Sequence, residues 1–273
     1  MYSVPELNLA TVDTMEGWWY GTQQGTTLEA HGLVRVIAEL YFGEQTAETV
    51  QAARAWIGER LFADTLSMFH ELAERVHPRM LVEKSPATVY KPEYLHRLGA
   101  MFPDGHFLHL VRHPRSFCNS ILNMPMGRAF VARSGFWDFN TAPPTLDPQL
   151  MWYSGHVNIV NFLGGGPPDQ VMRLRGEDIM QDLDTCLPAV CEWLGIATNS
   201  AAIEAMKHPE RSPYACIGPT GAQFGNDPAF LRNPVLRTST SRPQSLEGPL
   251  SWRGDGGVFY PAVRELAVRF GYH

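Results

Sequence analysis

The stretch HFLHLVRHPRSFCNSIL, residues 106–122, carries an apolar run into Arg112, turns through Pro114 and reaches Ser120 eight residues beyond the arginine. A guanidinium presents a planar fork of donors that matches the oxygens of phosphate. A hydroxyl at the right distance adds one more bond. A second apolar run, MLVEKS at 80–85, places Lys84 just before a proline-directed turn. An ammonium there can neutralise charge on a departing phosphate. Each residue also has an ordinary fate: an internal ion pair for Arg112, a helix face for Ser120, solvent for Lys84. Two cations at neighbouring strand ends point instead to one crevice that holds an anion.

The elements that must position them follow from pattern. The runs 80–85 and 106–111 read as strands separated by a helix over 91–101, a βαβ arrangement that predicts a parallel sheet. Ligands of such sheets lie beyond the C-terminal ends of the strands. A helix read over 113–131 would start there, with its free N–H groups towards the anion. Ser120 joins that site if HPRSF loops before the helix begins. Helices are also predicted over 28–41, over 47–76 as one long element ended by His77-Pro78, over 146–163 with Pro148 in the first turn, and over 184–196 with Asp184 as N-cap. QVMRLRGED supplies a third strand. The last helix, in YPAVRELAVRFGYH, is capped by Gly271. The first 27 residues read as irregular and 208–255 as mostly loop.

Composition narrows the class. The chain has 273 residues, 44% hydrophobic and 18% charged, enough for one large core. A net charge of −6 disfavours nucleic-acid binding, which draws on a basic surface. Cys118, Cys186, Cys191 and Cys216 form no CxxC pair and read as buried thiols of a reducing compartment. No apolar run reaches the roughly 18 residues of a membrane span, and the N-terminus has no signal-peptide pattern. The expectation is a cytoplasmic protein without membrane or nucleic-acid partners.

EKSP followed about 22 residues later by LVRHPRSFCNS resembles the PAPS-dependent sulfotransferases. VMRLRGEDIMQDLDTCLPAVCEWLGI and SWRGDGG…LAVRFGY are similar to later parts of the same family. PELNLATVDTM, LVRVIAEL and NDPAFL resemble its bacterial branch, which includes sulfotransferase domains of polyketide assembly lines. The resemblance covers most of residues 4–273. It implies an α/β fold with a P-loop-NTPase-like parallel sheet flanked by helices, a largely helical insertion and a loop-rich C-terminal part, all within a single domain. It implies PAPS as donor, with Arg112 and Ser120 holding the 3′-phosphate and Lys84 at the sulfuryl or bridging oxygen. Trp252 and Arg253 fall in the loop that folds over the cofactor, and His113 is a loop residue at the phosphate.

The departures carry expectations of their own. In this family a strand and a loop of the type PRSGTT(W/L)L cradle the 5′-phosphosulfate, ahead of the stretch that resembles VPELNL. Gly25-Thr26-Thr27 resembles that loop in part, but no apolar strand precedes it and the P-R-S is missing. The expectation is an N-terminally truncated domain without the 5′ half of the cofactor site, whose bare sheet edge favours homo-oligomers. Gly176 in RGED stands where relatives often have tyrosine, which removes an aromatic wall.

Sulfuryl transfer needs in-line positioning, charge stabilisation and a base for the acceptor hydroxyl. The candidate bases are His156, His31 and Glu83; a core packing role is the alternative for His156. No His/Cys/Asp cluster has metal-ligand spacing. Two readings stand. One is a sulfotransferase acting on a hydroxyl of a small-molecule or carrier-bound acceptor. The other is a non-catalytic remnant of that fold that binds PAP weakly or serves as an interaction domain. A P-loop kinase is disfavoured, since GxxxxGK(S/T) is absent.

Overall fold

The computed structural model describes residues 1–236 and 244–273. In chain order the regular elements are β1 (Tyr2–Ser3), α1 (Met15–Gly21), α2 (His31–Phe42), α3 (Ala47–Gly58), α4 (Thr65–Val76), β2 (Leu81–Val82) and α5 (Pro92–Met101). Then come β3 (Phe107–Val111), α6 (Pro114–Asn123), α7 (Gly127–Arg133), β4 (Trp137–Asp138), β5 (Thr145–Leu146), α8 (Pro148–Leu163) and β6 (Val171–Arg175). The chain continues through α9 (Gly176–Gln181), α10 (Leu183–Trp193), α11 (Ser200–Met206), α12 (Pro228–Arg232) and α13 (Pro261–Arg269). They form two compact units, one of residues 1–103 and 199–236, the other of 104–198 and 237–273.

The first unit is built on α2. Leu33, Val34, Val36, Ile37 and Ala38 are fully buried and meet Val50, Ala53 and Ile57 of α3. Gly32 lets the chain after β1 lie against this helix, because a Cβ there would stand 1.9 Å from the Glu6 carbonyl oxygen. β1 pairs in parallel with β2, Tyr2 against Leu81 and Ser3 against Val82. The predicted helix 47–76 is two helices. The chain leaves α3 after Gly58, and the turn bonds to the start of α1: Met15 N–H to Ala63 O at 2.9 Å and Glu16 N–H to Leu61 O at 3.1 Å. Asp64 then caps α4 by accepting from the Ser67 N–H. Within the stretch read as irregular, α1 forms behind Thr14, whose side chain takes the Gly17 N–H at 3.0 Å.

The second unit is built on β3 and β6, parallel and in register from Phe107↔Val171 to Val111↔Arg175. The predicted strands 80–85 and 106–111 therefore take different partners, β1 and β6. Val111, Trp152, Phe259, Val263, Leu266 and Phe270 form the centre of its core. The predicted helix 113–131 is broken at Met124–Met126, where Met126 has φ 61°. Gly127 is required there, since a Cβ would fall 1.7 Å from the Ile121 carbonyl oxygen. The N-cap of α10 is Asp182 rather than Asp184, its carboxylate accepting from Thr185 N–H at 3.0 Å. Residues 237–243, part of the stretch read as loop, lie outside the described residues. Cys118 and Cys191 are buried as expected, but Cys186 is half-buried and Cys216 exposed. Among the described residues no helix is long and apolar enough to cross a membrane.

Candidate functional site

β3 delivers Arg112 to the C-terminal end of the parallel pair. Its main chain is fixed: the carbonyl accepts from the Trp152 indole N–H at 2.9 Å. Its side chain is exposed, and the guanidinium has no partner among the described residues. Ser120 is half-buried on α6, and its hydroxyl is likewise without a partner among the described residues. The loop expected between them does not form. Helix α6 starts at Pro114, so Ser120 lies about 9 Å along its axis.

His113 is the reason the helix starts so early. Its Nδ1 accepts from the Arg115 N–H at 3.1 Å, which makes it the N-cap of α6. It is a buried cap rather than an open loop residue, with its ring edge-on to Tyr272. Burial pushes its pKa down to about 4, against the opposing pull of Glu177. Glu177, in the first turn of α9, binds this corner: Oε1 takes the His113 N–H at 2.9 Å and Oε2 takes the Tyr272 hydroxyl at 2.7 Å. Its neighbour Asp178 holds Arg175 with two bonds of 2.7 Å. The acidic pair of RGED thus braces the turn that carries Arg112. Arg115 gathers the carbonyls of Ser245, Glu247 and Pro249 at 2.8–3.0 Å and so shapes the C-terminal loop.

Trp252 and Arg253 sit in that C-terminal region as internal struts. Arg253 is 8% exposed and bonds Asp138 and Asp147 through one nitrogen, each at 2.7 Å, and Asp255 through the other. The Trp252 indole N–H donates to Asp147 at 3.0 Å. Asp138 is held down at a pKa of about 2, first by the Tyr260 hydroxyl and then by the Asn140 N–H and Arg253. A guanidinium enclosed by three carboxylates is spent on the fold. The resemblance places it in a loop over the cofactor, and in the structure its donors are taken by these carboxylates.

Lys84 belongs to the first unit, at the end of β2. Its ammonium is mostly exposed and contacts the Glu6 carboxylate. Glu83 points its carboxylate at the chain after β1, accepting from the Leu7 N–H at 3.0 Å and from the Ser85 hydroxyl. Burial raises its pKa. The Ser85 oxygen accepts from the Asn8 N–H at 2.8 Å. EKSP therefore ties one strand end to the PELN segment, a role that residue types alone do not reveal.

Of the two candidate histidines, His31 is buried and His156 is half-buried against the core of its unit. His156, on α8, meets His109 through ring nitrogens 2.9 Å apart, and packs on Trp152 and Phe270. Burial, then Arg173, lowers its pKa to about 4; burial, then His156 and Arg173, lowers that of His109 to about 3. His31 opens α2, stacks on Phe224 and accepts its N–H at 3.3 Å; burial lowers its pKa too. Both rings make packing contacts with aromatic neighbours. Gly176 has only the Val111 carbonyl within 4 Å of a Cβ, at 3.6 Å, so its lack of a side chain leaves space beside the end of β3.

This arrangement defines a class, a parallel α/β scaffold with a free guanidinium at a strand end, and the comparisons name it. The profile of the Sulfotransferase family matches residues 15–200, and the chain belongs to that family. Two solved structures share the fold. The sulfotransferase domain from the curacin biosynthetic pathway aligns at TM-score 0.71 with 23% identity, covering 99% of this chain and 88% of its own. The sulfotransferase domain from the Synechococcus PCC 7002 olefin synthase aligns at 0.70 with 20% identity, covering 99% and 85%. A comparison with curated proteins yields no match.

Proposed function

We propose that this sulfotransferase takes its sulfuryl group from PAPS and delivers it to a hydroxyl of a small-molecule or carrier-bound acceptor. The observation that carries the reading is the Arg112 side chain, exposed and without a partner among the described residues, on a strand end where its own carbonyl and the His113 N–H are both bonded. A dianionic 3′-phosphate suits a guanidinium and a hydroxyl that have no internal bonds to give up. Arg112 would hold that phosphate, and Ser120, carried on α6 rather than in a loop, would have to join it from the helix face. PAPS, when bound, supplies an activated sulfuryl group on a good leaving phosphate. The exposed contact of Lys84 with Glu6 is worth little, so its ammonium is readily exchanged onto a ligand oxygen. The fold neighbours are sulfotransferase domains from the curacin biosynthetic pathway and from an olefin synthase, in keeping with a sulfuryl acceptor made by such a biosynthetic system.

The test is calorimetry with PAP and turnover of labelled PAPS on the whole chain. Binding that disappears in Arg112→Ala, together with PAPS consumption, supports the reading. PAP binding unchanged by that substitution sinks the site, and tight PAP binding without turnover leaves the non-catalytic alternative.

A further inference from the structure

Arg35 lies within α2 and is fully buried, with 0% of its surface exposed. A guanidinium enclosed in this way calls for an anion, and Arg253 has one in each of its three carboxylates. Arg35 touches no carboxylate among the described residues. Its Nε donates to Gln45 Oε1 at 2.6 Å, Nη1 to the Phe224 carbonyl at 3.2 Å and Nη2 to Cys216 Sγ at 3.6 Å. The Glu39 carboxylate reaches it only through Gln45, whose Nε2 donates to Glu39 Oε2 at 2.9 Å. Among the described residues the Cys216 thiol is therefore the one ionisable group hydrogen-bonded to this cation.

The local chain is shaped to this contact. After Cys216 it turns through Gly218, where a Cβ would stand 2.2 Å from the Ala222 carbonyl oxygen and 2.9 Å from Arg35 Nε. The Gly218 N–H bonds the Gln223 carbonyl at 3.0 Å, which closes the turn against Arg35. Cys216 itself is exposed and lines an open cavity of about 520 Å³ with Gly43, Gln45, Pro213 and Pro219. That volume falls in the range of small-molecule pockets. The other cysteines differ. Cys118 and Cys191 are buried, and Cys186 is half-buried, its pKa raised by that burial and then by Asp182 and Asp178. Of the four, Cys216 alone is exposed, and it carries a bond from a buried cation.

We propose that Cys216 is a thiol-modification site that exchanges with small disulfides entering this cavity, and that Arg35 is the group that makes it reactive. The nucleophile in such an exchange is the thiolate, and an N–H donated from an opposite charge favours that form over the thiol. The thiol proton passes to solvent. Sγ then attacks one sulfur of the disulfide, a new Sγ–S bond forms as the old S–S bond breaks, and the departing sulfur takes the electron pair and then a proton from water. The product is a mixed disulfide at Cys216 and one free small thiol, the disulfide itself being the oxidant. The site does not rest on the transferase reading: its residues all belong to the first unit, and none is among the candidates for the donor or its transfer.

The experiment treats the whole chain with bis(2-hydroxyethyl) disulfide, an uncharged probe, and maps the adduct by peptide mass spectrometry. Cys216 should be labelled first. At about pH 7 its rate should exceed that of N-acetylcysteine amide by at least ~3-fold, the net of more thiolate and a less basic sulfur. That ratio should widen as the pH falls from about 8 to about 6, since the guanidinium keeps its charge throughout. Arg35→Gln removes the charge while retaining a donor, and should bring the rate down to that of the reference thiol or below it. Cys216→Ser should abolish the first adduct. A rate no faster than the reference, first labelling at Cys186, or a ratio that does not change with pH overturns the proposal on the unsubstituted protein, whether or not Arg35→Gln folds. An unchanged rate in a folded Arg35→Gln overturns it as well.

Discussion

Arg112 and Arg253 belong to the same unit, and their surroundings are opposite. Arg253 is enclosed, with Asp138, Asp147 and Asp255 around it and Tyr260 beside it. Arg112 is exposed, and its guanidinium donors are free of partners among the described residues. The same side chain can be a strut or a receptor, and what decides is whether the fold brings acceptors to it. A buried guanidinium with carboxylates satisfies the desolvation cost of both partners. An exposed one on a braced backbone keeps its donors for solvent or, on the proposed reading, for an anion.

The comparison is most easily broken at Arg253. Arg253→Met leaves Asp138 and Asp147 buried without their cation and should cost about 3–5 kcal/mol in urea unfolding, whereas Arg112→Ala should stay within about 0.5 kcal/mol. Similar losses in the two variants would erase the distinction. Adding Asp138→Asn and Asp147→Asn to Arg253→Met should recover part of the loss.

Binding should show the reverse order. Arg112→Ala should lower PAP affinity about 100-fold, for the loss of two charge-assisted bonds. A smaller effect sharpens the comparison further: Ser120→Ala removes one neutral donor and should lower PAP affinity about 5-fold.

Between these in size lies a pH effect from the core behind Arg112. His109 and His156 titrate at about 3 and about 4 in the folded protein, below the ordinary value of 6.5. Their neutral forms are the folded ones, so their contribution is complete above the unfolded pKa and is lost as pH falls below it. Each ring should cost about 1.5 kcal/mol between pH 6.5 and 5. His156→Phe should flatten the stability profile over that range. An unchanged profile would mean that the pair is not buried neutral, and the bracing of the strand end would need another account.

Legibility followed the range of the interactions involved. β3 is readable because HFLHLV is a short apolar run ended by Arg112, and the Pro114 signal marks the turn, whereas which side faces the core, His109 and Val111, is not. Arg112 is readable because it ends that run. Helix α8 and the stop at His77-Pro78 depend on local proline chemistry and come out as expected. The single helix drawn over 47–76 fails because its break is made by bonds to residues 15 and 16, far along the chain. His156 reads equally well as base or as core, and only the approach of His109 from β3 separates the two. Glu177 and the carboxylates around Arg253 could have been suspected from the acidic pair in RGED and from Asp138 and Asp147, but nothing in the sequence says which cation they serve.

Residue order alone settled the secondary elements with strong periodicity, the Sulfotransferase family through EKSP and LVRHPRS, and the candidates Lys84, Arg112 and Ser120. These are local properties of side-chain type and spacing. The tertiary structure decided which cations are spent and which are free, and why His113 caps a helix. Those outcomes depend on partners tens of residues or more away, and a charge or an amide has no fixed role until the fold has chosen its neighbours.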